Sequence, residues 1–426
     1  MRKGEEGRGK GEGRAPSPFP LPLSPEVIRD PLWGNIPVEP EALAVVDTPA
    51  FQRLRFVRQL GHAFLVYPGA THTRFEHALG AYHLARRALD LLVDVDGRKA
   101  VAPGEALRVR LAALLHDIGH YPFSHALEEA GLPHHETLAE RHLTTGDLAH
   151  VLDRLGVPAA DLLPLIQARG PSPLVGLVSG PVDVDKLDYL SRDAQASGVP
   201  YGVIDVDRLL ASLVLADGRA LALHEKGLSA LESLLFAKYQ MYRNVYWHHA
   251  VRSATVMFKR LVRRAIAGRL AAADEIAVAT DDGLIHDLMQ KDTTGLAPAL
   301  RQRRLAKRAL DVSAADLPPD AADWPATDPD LLERVEDRLA CESGLEPNEL
   351  FLDFPDKREA LALDVPVLKR DGALADRAHL PAVAAELMHT ARRLRVFVLR
   401  PAPVDGRRVI ELVTMGRDEV LAWLGQ

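Results

Sequence analysis

Imidazoles and carboxylates crowd one stretch of this chain, Leu114-Leu115-His116-Asp117-Ile118-Gly119-His120-Tyr121-Pro122-Phe123-Ser124-His125. On a helix, adjacent side chains point about 100° apart, so His116 and Asp117 can reach one metal ion from a shared edge. His120, four residues beyond His116, projects from roughly the same face. A nitrogen–oxygen donor mix suits Fe, Mn or Zn as well as Mg, and no thiolate competes for the ion. The plainer reading of a His-Asp pair at a helix end is a cap beside an exposed imidazole. The pair does not stand alone, however. Upstream lies Gly69-Ala70-Thr71-His72-Thr73-Arg74-Phe75-Glu76-His77-Ala78-Leu79-Gly80, and downstream Val182-Asp183-Val184-Asp185-Lys186-Leu187-Asp188-Tyr189-Leu190-Ser191-Arg192-Asp193.

Helices must carry most of these groups. Helical apolar spacing runs through 75–95 and more strongly through 105–118, with Gly119 where a helix should stop. Further helices are expected at 124–130, 135–143, 147–155, 205–215 and 226–270. The last is rich in aromatics, at Phe236, Tyr239, Tyr242, Tyr246 and Trp247. Thr48 followed by Pro49 reads as a helix start. Residues 312–330 are rich in Pro, Asp and Ala and read as a loop. Beyond them, 350–355, 395–401 and 407–415 read as β-strands. The fold expected is mainly α: a helical core over 26–270 and a smaller α+β C-terminal region over 271–426. Residues 1–25, rich in Gly, Pro and charge with little to bury, read as a disordered tail.

Composition narrows the functional classes. A chain of 426 residues exceeds the ~250–300 at which single cores stop growing. Hydrophobic residues at 47% and charged residues at 26% are the balance of a globular protein rather than a disordered or fibrous one. No apolar run is long enough for a membrane span, and the N-terminal segment lacks the apolar stretch of a secretory signal, so a cytoplasmic location is expected. One cysteine, Cys341, excludes an intrachain disulfide framework and a cysteine-based zinc cluster. A formal charge of -7 has the wrong sign for nucleic acid as the main partner.

Five segments carry a resemblance. FQRLRFVRQLG from Phe51, YPGATHTRFEHALG from Tyr67, LLHDIGHYPFSHALE from Leu114, the pair His135-Glu136 and DVDKLDYLSRD from Asp183 occur in order and at family-like spacing. Together they resemble the HD-domain deoxynucleoside triphosphate triphosphohydrolases, the family of the human SAM-and-HD-domain dNTPase. The similarity runs from about Val27 to about Thr255, with weaker echoes to about Lys307.

The resemblance implies that His77, His116, Asp117 and Asp185 hold a divalent metal (Fe, Mn, Zn or Mg). A transition metal would sit at this site, with Mg or Mn on a triphosphate. It puts Arg74, Lys186 and Tyr189 on that triphosphate, and Lys238 where relatives carry an arginine, a point charge in place of a two-pronged fork. His125 falls at the position of a general acid for the leaving 5′-oxygen. His120, Glu128 and His135 match a histidine–carboxylate–histidine relay in which relatives more often have aspartate at 128. His134 is the neighbouring alternative to His135. Gln59 and Asp193 correspond to contacts with a 3′-hydroxyl, Tyr246 to a ring under the sugar, and Leu60 adds bulk there. A 2′-hydroxyl buried against apolar groups goes unpaired, costing ~1–3 kcal/mol, which favours deoxy over ribo substrates.

For regulation, Asp47, Gln52 and Arg55 match residues that read a guanine base, and Arg303 and Lys307 match positions that hold nucleotide phosphates. Glu26 falls where regulated relatives have lysine. A dNTP substrate, a nucleotide effector and a homo-oligomer, tetramer or dimer, are the partners implied. Two other readings compete: another HD-type nucleotide phosphohydrolase, such as a nucleotidase or alarmone hydrolase, and a nucleotide-sensing or nucleic-acid-binding protein.

Overall fold

The computed structural model describes residues 24–425 apart from 100, 217–219, 319–320, 356–364 and 376–379. The expected tail, residues 1–25, lies outside the described residues except for its last two. The fold is mainly helical, with three small sheets among the described residues, their strands divided between the helical core and the C-terminal region. No helix among the described residues is long and apolar enough to cross a membrane.

Three helices frame the His/Asp cluster. Arg74–Leu91 begins with a capping box, the Thr73 backbone N–H donating to Glu76 Oε2 at 2.6 Å. That bond satisfies an otherwise orphaned helix-end donor. The helix is buried on both sides: Phe75, Ala78, Leu79, Tyr82 and Ala85 line one face, and His77, Gly80, Ala81 and Leu84 lie toward the other. Pro103–Leu115 starts on a proline at the first helical position and is buried almost all round from Val109 onward. Val184–Ser197 is capped by Asp183, which accepts from Lys186 N at 2.8 Å, and closes on Gly198 with φ 68°. It lies tight against the first helix because Gly80 has no side chain: a Cβ there would meet Asp188 Oδ1 at 1.8 Å.

Strands form three groups. Glu26–Asp30 and Gly34–Val38 make an antiparallel hairpin. Arg393–Val398 runs between Lys307–Ser313 and Leu350–Asp353, antiparallel to both. The third sheet has the order Val93–Asp94, Leu213–Ala216, Ala220–His224, Val367–Leu368, Leu374–Ala375. Val367–Leu368 pairs parallel with Ala220–His224, so C-terminal chain is built into a sheet begun by the helical core.

Several sequence expectations are corrected. The helix expected over 124–130 is a single 3-10 turn, Ser124–Ala126. Phe123 and Ser124 sit at φ 58° and 62°, and Phe123 N donates to Asp281 Oδ1 at 2.9 Å. Left-handed backbone at two successive residues cannot continue a right-handed helix. The helix expected over 205–215 ends at Leu210; Leu213–Ala216, buried throughout, is a strand paired with Ala220–His224. The single helix expected over 226–270 is two, Leu228–Met241 and His249–Ala267, joined through a π-helical turn at Tyr242–Tyr246.

The strand expected over 407–415 is the helix Gly406–Thr414. Asp405 caps it, accepting from Arg407 N and Arg408 N, and its buried Val409, Leu412 and Val413 follow the 3.6-residue period, not the period of two. The loop expected over 312–330 holds a strand end, a 3-10 turn and the short helix Trp324–Thr327.

Candidate metal centre and adjoining cavity

Four side chains from three segments converge. His77 Nε2 lies 3.1 Å from His116 Nε2, 3.0 Å from Asp185 Oδ1 and 3.6 Å from Asp117 Oδ2. His116 Nε2 lies 3.4 Å from Asp117 Oδ1 and 3.5 Å from Asp185 Oδ1. His116 and Asp117 do not share a helix edge as the sequence reading had it: the helix ends at Leu115, and the pair sits in the turn that follows. Arg53 holds that turn in place, donating from Nη2 to Ile118 O at 3.1 Å and to His120 O at 2.8 Å.

The outward ring nitrogens are fixed as well. His77 Nδ1 is hydrogen-bonded to Asp188 Oδ2 at 2.8 Å, and His116 Nδ1 to Ala113 O at 2.8 Å. Both Nε2 atoms are thereby left facing the cluster, the orienting arrangement that metal-bound histidines use. Asp188 is in turn held by Arg192, through Nε and Nη2, and by Trp33 Nε1 at 2.5 Å. The donor set, two imidazoles and two carboxylates, suits a divalent transition metal.

Electrostatics agree with a site that demands positive charge. Burial works against a proton on His77, but hydrogen bonds to Asp185 and Asp188 and the Asp117 charge outweigh it and push its pKa to about 10. Burial also opposes ionisation of Asp117, yet Arg74, His116 and His120 hold it well below the usual carboxylate range. Asp185 is held low, against burial, by His116 and His77. A metal ion at this point would replace a proton.

Beside the cluster lies a second group of titratable residues. Glu128 accepts from His125 Nδ1 at 2.9 Å through Oε2, and from His135 Nδ1 at 2.6 Å through Oε1. His120 stacks on His135 with ring centres 3.7 Å apart, and its Nε2 lies 3.2 Å from Asp117 Oδ1. One residue therefore touches both groups. Burial, then Arg74 and His135, drive the His120 pKa well below its ordinary value, so its ring is neutral. His134 stands farther off, 3.7 Å from Glu128. The approach of the two chain segments needs Gly119, where a Cβ would meet His135 O at 2.2 Å.

A cavity of about 660 Å³ opens onto both groups, inside the ~300–1,000 Å³ range of small-molecule sites. It brings together all eight residues expected to bind substrate: Gln59, Leu60, Arg74, Lys186, Tyr189, Asp193, Lys238 and Tyr246. Arg74 is buried and bonds Asp117 through Nη1 and Ser124 through Nη2. Lys186 Nζ donates to Asp183 Oδ2 at 2.5 Å and Gly180 O at 2.9 Å. Lys238 is buried as well. Tyr246, presented by the π-helical turn, donates to Asp193 Oδ2 at 2.6 Å, while Asp193 Oδ1 pairs with His72 Nε2 at 2.8 Å. Gln59 Oε1 is buried without a hydrogen-bond partner.

The five residues expected to bind an effector stand outside this cavity. Gln52 donates to Val46 O at 2.7 Å and accepts from Arg55 Nε at 2.7 Å, and Arg55 lies 3.5 Å over the Phe75 ring. Asp47 is exposed at the end of the Pro40–Val46 helix. Arg303 bonds Leu65 O at 2.7 Å, and Lys307 opens a strand, so these two stand on other elements.

Sequence reasoning assigned no role to Arg53, His72, Ser124 or Asp188. Asp188 was within reach, since it follows Asp185 by three residues on one helix. The others act across the fold, and no local pattern signals them.

Residues 74–169 match the model of the HD domain, and residues 204–401 that of the HD associated region. The uncharacterized protein MJ1154 of Methanocaldococcus jannaschii is 35% identical over 299 residues, covering 69% of this chain and 61% of that one. The deoxynucleoside triphosphate triphosphohydrolase SAMHD1 of Bos taurus is 31% identical over 263 residues, covering 52% and 44%. The chain thus spans about half the length of the curated relatives it matches. A crystal structure of a hypothetical protein from Aquifex aeolicus superposes with a TM-score of 0.71 at 28% identity, covering 92% of this chain and 99% of that one. A phosphohydrolase from Bacteroides thetaiotaomicron shares the fold, with a TM-score of 0.70 at 24% identity over 88% of this chain and 100% of that one.

Proposed function

The chain carries an HD domain followed by an HD-associated region, and on that premise we propose that it is a metal-dependent phosphohydrolase converting dNTP and water to deoxynucleoside and inorganic triphosphate. The observation that carries the reading is His120, which touches the metal-ligand residue Asp117 on one side and stacks on the relay histidine His135 on the other. Ligand cluster and proton-transfer group thus border the same cavity.

A divalent ion held by His77, His116, Asp117 and Asp185 would supply an acidified water and polarise a phosphoryl oxygen. The remaining steps belong to the chain's own residues. Arg74, Lys186 and Lys238 bring positive charge to the phosphate end of the cavity. His125 is tied to Glu128 through Nδ1, so Nε2 is the nitrogen that delivers a proton to the departing 5′-oxygen. Glu128 is held ionised, against burial, by its hydrogen bonds to His125 and His135. An ionised Glu128 stabilises the imidazolium between turnovers. At the sugar end, a 3′-hydroxyl can donate to the unsatisfied Gln59 Oε1 or to Asp193, and Leu60 with the Tyr246 ring disfavours a 2′-hydroxyl. Asp47, Gln52 and Arg55 form the proposed effector contact, with Asp47 able to accept from the N1–H and amino group of guanine.

The test is incubation with each dNTP and each ribonucleotide in Mn²⁺ or Mg²⁺, with products resolved by anion exchange. Inorganic triphosphate from dNTPs supports the proposal. Pyrophosphate or orthophosphate as the first product would move the assignment to another nucleotide phosphohydrolase.

A further inference from the structure

We propose that His120, His125, Glu128 and His135 form a second cation site, selective for zinc, whose occupancy shuts the proton relay. The four residues each bring one donor atom, and those atoms lie within 4.8 Å of one another. On a tetrahedral zinc ion, with ligand bonds near 2.0–2.2 Å, neighbouring donors sit ~3.3 Å apart. Small side-chain rotations therefore suffice to close the set. The two Glu128 oxygens already face His125 Nδ1 and His135 Nδ1, at 2.9 and 2.6 Å. Each of those contacts spans one proton, and an ion would displace both protons to solvent.

A further donor is spare. His120 is buried, and its Nδ1 has no hydrogen-bond partner, an arrangement costly to leave unmet. Three imidazoles and one carboxylate make a nitrogen-rich set that suits zinc, whereas Mn²⁺ and Mg²⁺ favour oxygen. The neighbouring cluster at His77, with two imidazoles and two carboxylates, discriminates less. The two sites should therefore part company in a metal mixture, with manganese competing at the first and zinc held at the second. An ion on the Nδ1 atoms replaces the hydrogen bonds to Glu128 that tie the relay together, and its positive charge disfavours the protonated His125 that the transfer from Nε2 needs. That consequence for turnover rests on the function proposed above; the binding itself does not.

Zinc binding decides the matter without an assay of activity. The full chain, stripped by chelator, is dialysed against Zn²⁺ alone, and bound zinc per chain is read by mass spectrometry. Glu128→Gln and His125→Ala should each hold one ion fewer than the wild type. His116→Ala should also lose one ion, and His116→Ala combined with His125→Ala should lose two. His125 is the safe position if Glu128→Gln fails to fold, because its side chain is 42% exposed. Equal zinc content in the wild type and in folded His125→Ala would overturn the second site. Loss of zinc in His125→Ala from a protein that makes no triphosphate would keep the site and sink only the substrate assignment.

Discussion

Asp353 grips Arg252 with both carboxylate oxygens, which accept from Nε at 3.1 Å each, while Nη2 donates to Oδ1 at 2.6 Å. The same guanidinium forks onto Glu129, at 3.0 and 2.8 Å, and Glu129 adjoins Glu128 in the chain. One buried cation thus ties the strand Leu350–Asp353 to the segment that carries the relay.

Asp353→Ala should therefore do more than loosen a sheet. Arg252 keeps Glu129 but loses one of its two carboxylates, and since breaking a buried ion pair outright costs ~3–5 kcal/mol, the denaturation midpoint should drop by a part of that. In the milder Asp353→Asn, turnover should fall while KM stays near the wild-type value. A KM that rises in step with the loss of kcat would place the effect in binding instead.

His116→Ala should remove the metal held with His77, and activity with it, and leave the fold intact. Asp117→Ala is a poorer test than the sequence alone suggests, because it also strips buried Arg74 of its carboxylate partner. It should lose stability as well as metal. Circular dichroism and metal content, measured on both variants, separate the two effects.

His125→Ala should keep the metal at His77 and keep dNTP affinity, yet lose turnover by ~10²–10⁴-fold, the usual worth of positioned proton transfer. Single-turnover kinetics with separately measured binding would show it. Weakened affinity at an unchanged rate would make His125 a binding residue.

Acid should destabilise the fold through buried neutral histidines. Burial, then the charge of Arg58, lowers the His62 pKa from 6.5 to about 3, and burial with Arg53 and Arg141 lowers that of His142 to about 4. Between those values and 6.5 the unfolded chain binds more protons than the folded one. Stability is then complete above pH 6.5 and lost as pH falls below it, by up to ~1.4 kcal/mol per unit for each group. His62 stacks on Phe123 with ring centres 4.5 Å apart, so His62→Phe keeps the packing and removes the titration. Urea midpoints measured from about pH 5 to about pH 8 should flatten in that variant. Unchanged pH dependence would clear His62 of the effect.

The sequence made the ligand and relay residues legible because they cluster in short motifs with fixed spacing. The helices Arg74–Leu91 and Pro103–Leu115 were legible from their apolar period. What it hid is where the chain departs from regular geometry. The left-handed pair Phe123 and Ser124 looks like helix in a segment full of Leu, Ala and Glu. The π-helical turn at Tyr242–Tyr246 inserts itself into a continuous apolar pattern, yet it is what brings Tyr246 to Asp193; such bulges recur at functional sites. Pairings such as His72 with Asp193 span 121 residues, and no local spacing encodes them.

The parallel pairing of Val367–Leu368 with Ala220–His224 also sets an order of events during synthesis. A chain emerging from the ribosome completes the candidate metal ligands and the proposed relay long before residue 367 appears. Until then Ala220–His224 has an open edge, with backbone N–H and C=O groups available to any passing strand. The nascent chain thus carries an open strand edge after its candidate site residues have emerged, and the edge closes only when Val367–Leu368 pairs with Leu223 and His224.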